Sequence, residues 1–149
     1  MKRHERSVCL SMNVLIDTNV ILDALMARAP WNKNAKEIIL LSAAGDITAC
    51  ITASSITDIY YLFRKAIGDS AAAREAVFKL IQIIEVIDVS AEDCERAFEL
   101  PIPDYEDAVQ IACAARHKLE CIITRDAGHF AGSPIRVSSP EAFLSGRAN

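Results

Sequence analysis

No stretch of this sequence approaches the ~18 consecutive apolar residues that a membrane-spanning helix needs; Asp17 and Asp23 interrupt the longest early candidate. The five cysteines, Cys9, Cys50, Cys94, Cys113 and Cys121, are odd in number and scattered, with no C-x-x-C pair. That argues against a zinc ribbon or a disulfide frame and for reduced thiols in a cytoplasm. A surplus of positive charge is missing too. The net charge is −4 and the isoelectric point lies near 5.4, so nothing draws the whole chain to nucleic acid. A polyanion could be held only where metal ions or a local basic patch offset the acidic groups. Internal repeats, low-complexity linkers and shifts in composition are absent, which leaves one domain. The first eleven residues, M-K-R-H-E-R-S-V-C-L-S, carry positive charge, but the apolar stretch after them holds the aspartates and no small-residue cleavage site follows. A secretory signal is therefore not expected. The reading is an N-terminal extension over residues 1–11, free to be disordered, and a single domain over 12–149, with Met12 as an alternative start.

The chain does contain enough for a proper core: 149 residues, 52% hydrophobic and 24% charged. Its organising stretch is N-V-L-I-D-T-N-V-I-L-D at 13–23. Val14 to Ile16 form a short apolar run suited to a strand buried on both faces of a parallel sheet. Asp17 ends the run, and Thr18 or Asn19 can cap the helix that follows. Further on, helical periodicity over Asn32 to Ala44 alternates with a strand at Ile47 to Thr52. A helix capped by Ser54 or Ser55 then runs to Gly68. Next come a helix from Asp69 or Ser70, a strand at Glu85 to Val89, and a capping box at Ser90 and Asp93 that opens a short helix. After P-I-P, Asp104 opens a helix to about Lys118. Strands at Cys121 to Thr124 and Ile135 to Val137 and a short helix from Pro140 to Leu144 complete the chain. Helices alternating with short apolar strands predict a three-layer α/β/α domain with a mainly parallel sheet of about five strands.

Acids recur at one edge of that sheet. Asp17 ends the first strand, Asp58 sits in the first turn of the helix after the second, Asp104 and Asp107 share a helix face, and Asp126 follows the fourth strand in I-I-T-R-D. In a parallel sheet every strand C-terminus and following helix N-terminus lies at the same edge, where ligands bind. Each acid alone reads equally well as an N-cap or dipole residue. Converging carboxylates, however, repel and raise one another's pKa unless a cation neutralises them. Hard oxygen donors suit Mg²⁺ or Mn²⁺, and paired ions of that kind stabilise the attacking and leaving oxygens of phosphodiester hydrolysis.

Four pieces, L-I-D-T-N-V-I-L-D at 15–23, S-S-I-T-D-I-Y-Y at 54–61, D-Y-E-D-A-V-Q-I-A-C-A at 104–114 and I-I-T-R-D at 122–126, together resemble the PIN domain in order and spacing. The resemblance implies a parallel sheet flanked by helices, an acidic Mg²⁺ or Mn²⁺ site and endoribonuclease activity on single strands. It also implies, as in many small bacterial members similar to VapC, the toxin role of a toxin–antitoxin pair, with a cognate antitoxin partner and a homodimer. Carried over by position, Asp17 matches the first metal ligand, Asp58 the second acid, Asp107 the third and Asp126 the variable fourth. Asn19 matches a supporting polar residue. Asp104 is an additional acid on the same face, Thr124 a second supporting residue, and Arg125 a candidate phosphate contact. The family commonly carries Glu where Asp58 stands, one methylene longer, so Asp58 can reach a metal through water.

Two other readings compete. One is a PIN-like module with weak or lost catalysis that binds RNA or a protein. The other is an acidic-pocket phosphatase or phospho-receiver, disfavoured because Asn19 stands where a haloacid-dehalogenase-type phosphatase needs its second Asp, and I-I-T-R-D where a receiver needs Lys. His4, His117 and His129 fall in no matching motif and are expected outside the site. Trp31, Tyr60 and Tyr61 are read as core or interface aromatics with the capacity to stack a base.

Overall fold

A computed structural model describes residues 11–147; the expectation for the N-terminal extension lies outside the described residues except at Ser11, whose hydroxyl is 3.1 Å from that of Thr48. Among the described residues there are five strands and seven α-helices. The strands are β1 (Met12–Ile16), β2 (Ile47–Thr52), β3 (Glu85–Ile87), β4 (Cys121–Ile123) and β5 (Arg136–Ser138). The helices are α1 (Thr18–Leu25), α2 (Asn32–Ala43), α3 (Ala53–Ile67), α4 (Ser70–Ile83), α5 (Ala91–Arg96), α6 (Tyr105–Arg116) and α7 (Pro140–Arg147), with short 3₁₀ turns at Ala97–Glu99 and Ala127–Phe130. All strand pairs are parallel, in the order β3-β2-β1-β4-β5. No helix described is long and apolar enough to cross a membrane.

Strand alternation makes the three layers. Val14 and Ile16 of β1, Ala49 and Ile51 of β2, and Cys121 and Ile123 of β4 face a core shared with Val20, Ile38, Ile59, Leu80 and Phe143 from α1, α2, α3, α4 and α7. Leu15, Cys50 and Ile122, one residue out of phase, face the opposite core with Ala108, Ile111 and Ala114 of α6 and Phe130. On that side Arg116 ties α6 to α5, its Nε donating to Asp93 Oδ1 at 3.0 Å and its Nη2 to Asp88 Oδ2 at 2.9 Å. Asp93 also completes the expected capping box with Ser90. The four described cysteines carry free thiols, and burial pushes the Cys50 thiol up to about 11.

Several boundaries differ from the sequence reading. The helix after β2 is capped by Thr52, whose hydroxyl accepts from Ser55 N, and not by Ser54 or Ser55. The strand therefore runs directly into α3, and Asp58 falls in its second turn. Likewise Asp17 occupies the cap position of α1 in place of Thr18 or Asn19. The third strand stops at Ile87 because its partner residue, Thr52, is the last of β2. Ile67 of α3 and Phe78 and Ile81 of α4 lie exposed. Replacing Thr52 with alanine should cost about 1 kcal/mol in urea unfolding, whereas Ser54→Ala should cost less than about 0.5 kcal/mol; equal losses would contradict the cap assignment.

Candidate functional site

The site begins at the centre of the sheet. Ile16 of β1 pairs with Ile123 of β4, so the next residues on the two strands, Asp17 and Thr124, emerge side by side at the C-terminal edge. The Asp17 backbone N–H donates to Ile123 O at 2.9 Å. From β1 the chain builds outward through β2 to β3, then returns to lay down β4 and β5 on the other side. The crevice between β1 and β4 is therefore the point at which strand order reverses, the usual ligand position in an open parallel sheet.

Asp17 is 8% exposed, and its carboxylate is held from both sides. Thr124 Oγ1 donates to Oδ2 at 2.7 Å and Gln110 Nε2 to Oδ1 at 3.4 Å. Although Asp17 stands at the cap position of α1, its side chain makes no capping bond to that helix. The carboxylate is aimed across the sheet edge. Thr124 serves twice, its hydroxyl also accepting from Asp126 N at 3.1 Å. Asn19, one residue into α1, donates from Nδ2 to Asp126 Oδ2 at 3.1 Å. The two residues expected to support the site thus link Asp17 to Asp126.

The third side comes from α6. Asp104 caps it, its Oδ1 accepting from Asp107 N at 2.9 Å, so the exposed Asp104 carboxylate is already engaged by backbone. Asp107 is half-buried, and its carboxyl is pushed up to about 6 by burial first, then by the charges of Asp104, Asp17 and Glu106, with exposed His129 acting in the opposite direction. Burial likewise raises Asp17, against the pull of its Thr124 and Gln110 bonds, and Asp126 adds to the rise. Partial burial and then the charges of Asp58, Asp104 and Asp17 raise Glu106. Asp58 is exposed on α3. The acids divide accordingly: Asp107 and Asp126 act on Asp17 or are acted on by it, whereas Asp58 acts on Glu106 at the outer rim.

Sequence reasoning did not single out Gln110 or Glu106. Gln110 lies three residues after Asp107, on the same helix face, and that spacing was the available signal. His129, expected outside the site, brings its charge close enough to act on Asp107. Arg125, read as a phosphate contact, has its guanidinium 4.0 Å from the centre of the Trp31 ring and its Nε 3.1 Å from buried Asp23 Oδ2.

Among the described residues no three His, Cys, Asp or Glu side chains stand close enough together, in these conformations, to hold one ion. The donor set nevertheless fits a hard dication. Every candidate offers carboxylate oxygen, no softer ligand intervenes, and burial places negative charge where a cation relieves it. Asp17, Asp107 and Asp126 are the residues that could hold it, with Asp58, Asp104 and Glu106 within reach of its charge.

The PIN-domain family pattern matches residues 13–128. The chain belongs to the PIN-domain family. No curated protein sequence matches it. Among solved structures, a toxin–antitoxin complex from Klebsiella pneumoniae superposes with a TM-score of 0.64 at 26% identity, covering 85% of this PIN domain and 97% of that chain. A DNA-bound VapBC complex from Salmonella typhimurium gives 0.67 at 17% identity over 87% and 98%. The Mycobacterium tuberculosis VapC20, a sarcin-ricin loop cleaving toxin, gives 0.62 at 18% identity over 83% and 98%. These likenesses extend over nearly the whole length of each neighbour. PIN nucleases generally use divalent metal ions.

The raised Asp107 carboxyl makes stability depend on pH in a defined direction. Its folded pKa lies above the ordinary 3.8, so the folded state prefers the protonated acid. That stability is fully present below about pH 4 and is lost as pH climbs through about 6. In EDTA, the decline in melting temperature between pH 4.5 and 7.5 should be smaller for Asp107→Asn than for wild type, and Mn²⁺ should raise the wild-type value more at pH 7.5 than at pH 5. A decline of the same size in the variant would contradict this account of Asp107.

Proposed function

We propose that this PIN domain is a Mg²⁺- or Mn²⁺-dependent endoribonuclease that hydrolyses phosphodiester bonds in single-stranded RNA. The observation that carries the proposal is the buried Asp17 carboxylate at the β1/β4 crevice, aimed across the sheet edge by Thr124 and Gln110, with Asp107 and Asp126 within electrostatic reach. A cap would need neither those bonds nor the neighbouring acids. A divalent ion held by Asp17 and Asp107, with Asp126 and Asp58 completing the set, would polarise the scissile phosphate and offset the charge that builds on its oxygens. Thr124 and Asn19 keep Asp17 and Asp126 in place before substrate arrives. That removes reorganisation cost from the chemical step. Asp58 or Asp126, the acids not committed to the central ion, would position the attacking water as general base. Asp104 stays at the helix cap and adds charge from there.

Its partners follow by analogy. The Klebsiella neighbour is a toxin–antitoxin complex and the Mycobacterium neighbour cleaves the sarcin-ricin loop, which supports an RNA substrate and the toxin role in a pair with a cognate antitoxin. Ile67, Phe78 and Ile81 leave apolar surface exposed on α3 and α4, available to a second copy in the homodimer that the family resemblance implies. The acidic balance of the chain and Asp58 in place of the family's longer Glu favour the weak-catalysis reading, whereas the buried, pre-held Asp17 favours turnover.

Incubation of labelled single-stranded RNA with wild type, Asp17→Ala and Gln110→Ala, each with Mn²⁺, Mg²⁺ or EDTA, tests the proposal. Metal-dependent cleavage is expected from wild type, a loss of at least about 10³-fold in Asp17→Ala, and a smaller loss of about 10-fold to 100-fold in Gln110→Ala, as for a residue that orients a ligand. Full cleavage by Asp17→Ala, or cleavage undiminished in EDTA, would overturn the assignment. No cleavage by folded, metal-binding wild type would favour the binding module.

A further inference from the structure

We propose that the cavity walled by Trp31 and Arg125 is a subsite for one unpaired nucleobase of the RNA. The proposal rests on the ribonuclease reading above and specifies how the substrate is gripped next to the acidic crevice.

The cavity has a volume of about 340 Å³, and its lining includes Asp23, Trp31, Asn34, Arg125, Ser139 and Glu141. That is the lower end of the roughly 300–1,000 Å³ found for small-molecule sites, a size for a single base and not for a duplex or a helix. It opens at the same sheet edge as Asp17, because Arg125 follows Thr124 directly after β4 and Ser139 follows β5. Arg125 joins the two in the chain: its neighbours Thr124 and Asp126 bond to Asp17 and Asn19, while its own side chain turns to Asp23 and Trp31.

Its wall is built for stacking. Trp31, at the end of the loop between α1 and α2, keeps 43% of its surface exposed, yet its ring is held under the Arg125 guanidinium at 4.0 Å. Arg125 is ion-paired in turn with Asp23, an acid whose side chain is 2% exposed on α1, its Nε 3.1 Å from Oδ2 but outside hydrogen-bond geometry. Arg28 Nη1 stands 3.5 Å from the other Asp23 oxygen, and that oxygen has no hydrogen-bond donor in proper geometry. A buried carboxylate is costly unless it is paired; here it stands beside two arginines, one of them 4.0 Å from the centre of an indole ring. Unpaired RNA bases are recognised by stacking on aromatic rings and guanidinium planes. Asn34 offers both donor and acceptor, Ser139 a hydroxyl and Glu141 only acceptors, so a base edge entering the cavity meets hydrogen-bonding partners for its donors and its acceptors.

Trp31 is the only tryptophan, so its fluorescence reports on the cavity directly. The full chain in EDTA would be titrated with each nucleoside 5′-monophosphate and with ribose 5-phosphate, and binding of a labelled short oligoribonucleotide would be followed by anisotropy. Saturable quenching is expected with each of AMP, GMP, CMP and UMP, as for a stacking contact that any base can make. Ribose 5-phosphate should give none. Trp31→Ala should weaken oligonucleotide binding about tenfold, with Trp31→Phe recovering most of it, as expected of a stacking contact. Absence of saturable quenching, equal quenching by ribose 5-phosphate, or unchanged oligonucleotide affinity in folded Trp31→Ala would overturn the proposal. Metal-dependent cleavage without nucleobase-dependent quenching removes the subsite and leaves the ribonuclease reading; nucleobase-dependent quenching without cleavage supports the subsite and removes that reading.

Discussion

The arrangement depends on one buried carboxylate held at the point where a parallel sheet changes direction. Asp17 cannot be solvated there as it would be on a surface, and the bonds from Thr124 and Gln110 only partly offset that cost. Both donors come from distant stretches of chain, Thr124 directly after β4 and Gln110 on α6, and Thr124 reaches Asp17 because the sheet order places β4 beside β1. The fold as a whole, with an apolar core on each face of the sheet, thus keeps a strained electrostatic feature in place. A parallel sheet is suited to this task, since it gathers strand ends and helix starts from all along the chain at a single edge.

Charge is graded across that edge. Asp17 is buried, Asp107 half-buried, and Asp58, Asp104 and Asp126 exposed. Carboxylates that feel one another as Asp17, Asp107 and Glu106 do are a recurrent mark of functional sites, because a structural role seldom needs several acids in one place. Beside them the sign of the charge changes, with Arg28 and Arg125 gathered around Asp23. A chain of net charge −4 can approach a polyanion only through such local departures from its average.

Much of this was legible in the residues. The apolar run ending at Asp17, the alternation of strands and helices, the capping box at Ser90 and the cap at Asp104 are local signals, and local chemistry decides them. What escaped was set by neighbours. β3 ends at Ile87 because β2 supplies no partner beyond Thr52, and β5 begins one residue later than its apolar pattern suggests because its register is set by Cys121 opposite Arg136. Gln110 reads as an ordinary polar helix residue until the fold brings it to Asp17. Asp23 and Arg125 lie 102 positions apart, and nothing in either segment announces that one pairs with the other beside Trp31.

The central claim is that these acids form one divalent-cation site centred on Asp17. Crystals grown without metal and soaked in Mn²⁺, with diffraction recorded across the manganese absorption edge, test it most directly. The account predicts an anomalous peak within coordinating distance of the Asp17 and Asp107 carboxylates, roughly 2.0–2.4 Å, that is absent from Asp17→Asn crystals treated alike. A crevice without a peak at saturating Mn²⁺, or a peak that persists unchanged in Asp17→Asn, would contradict it.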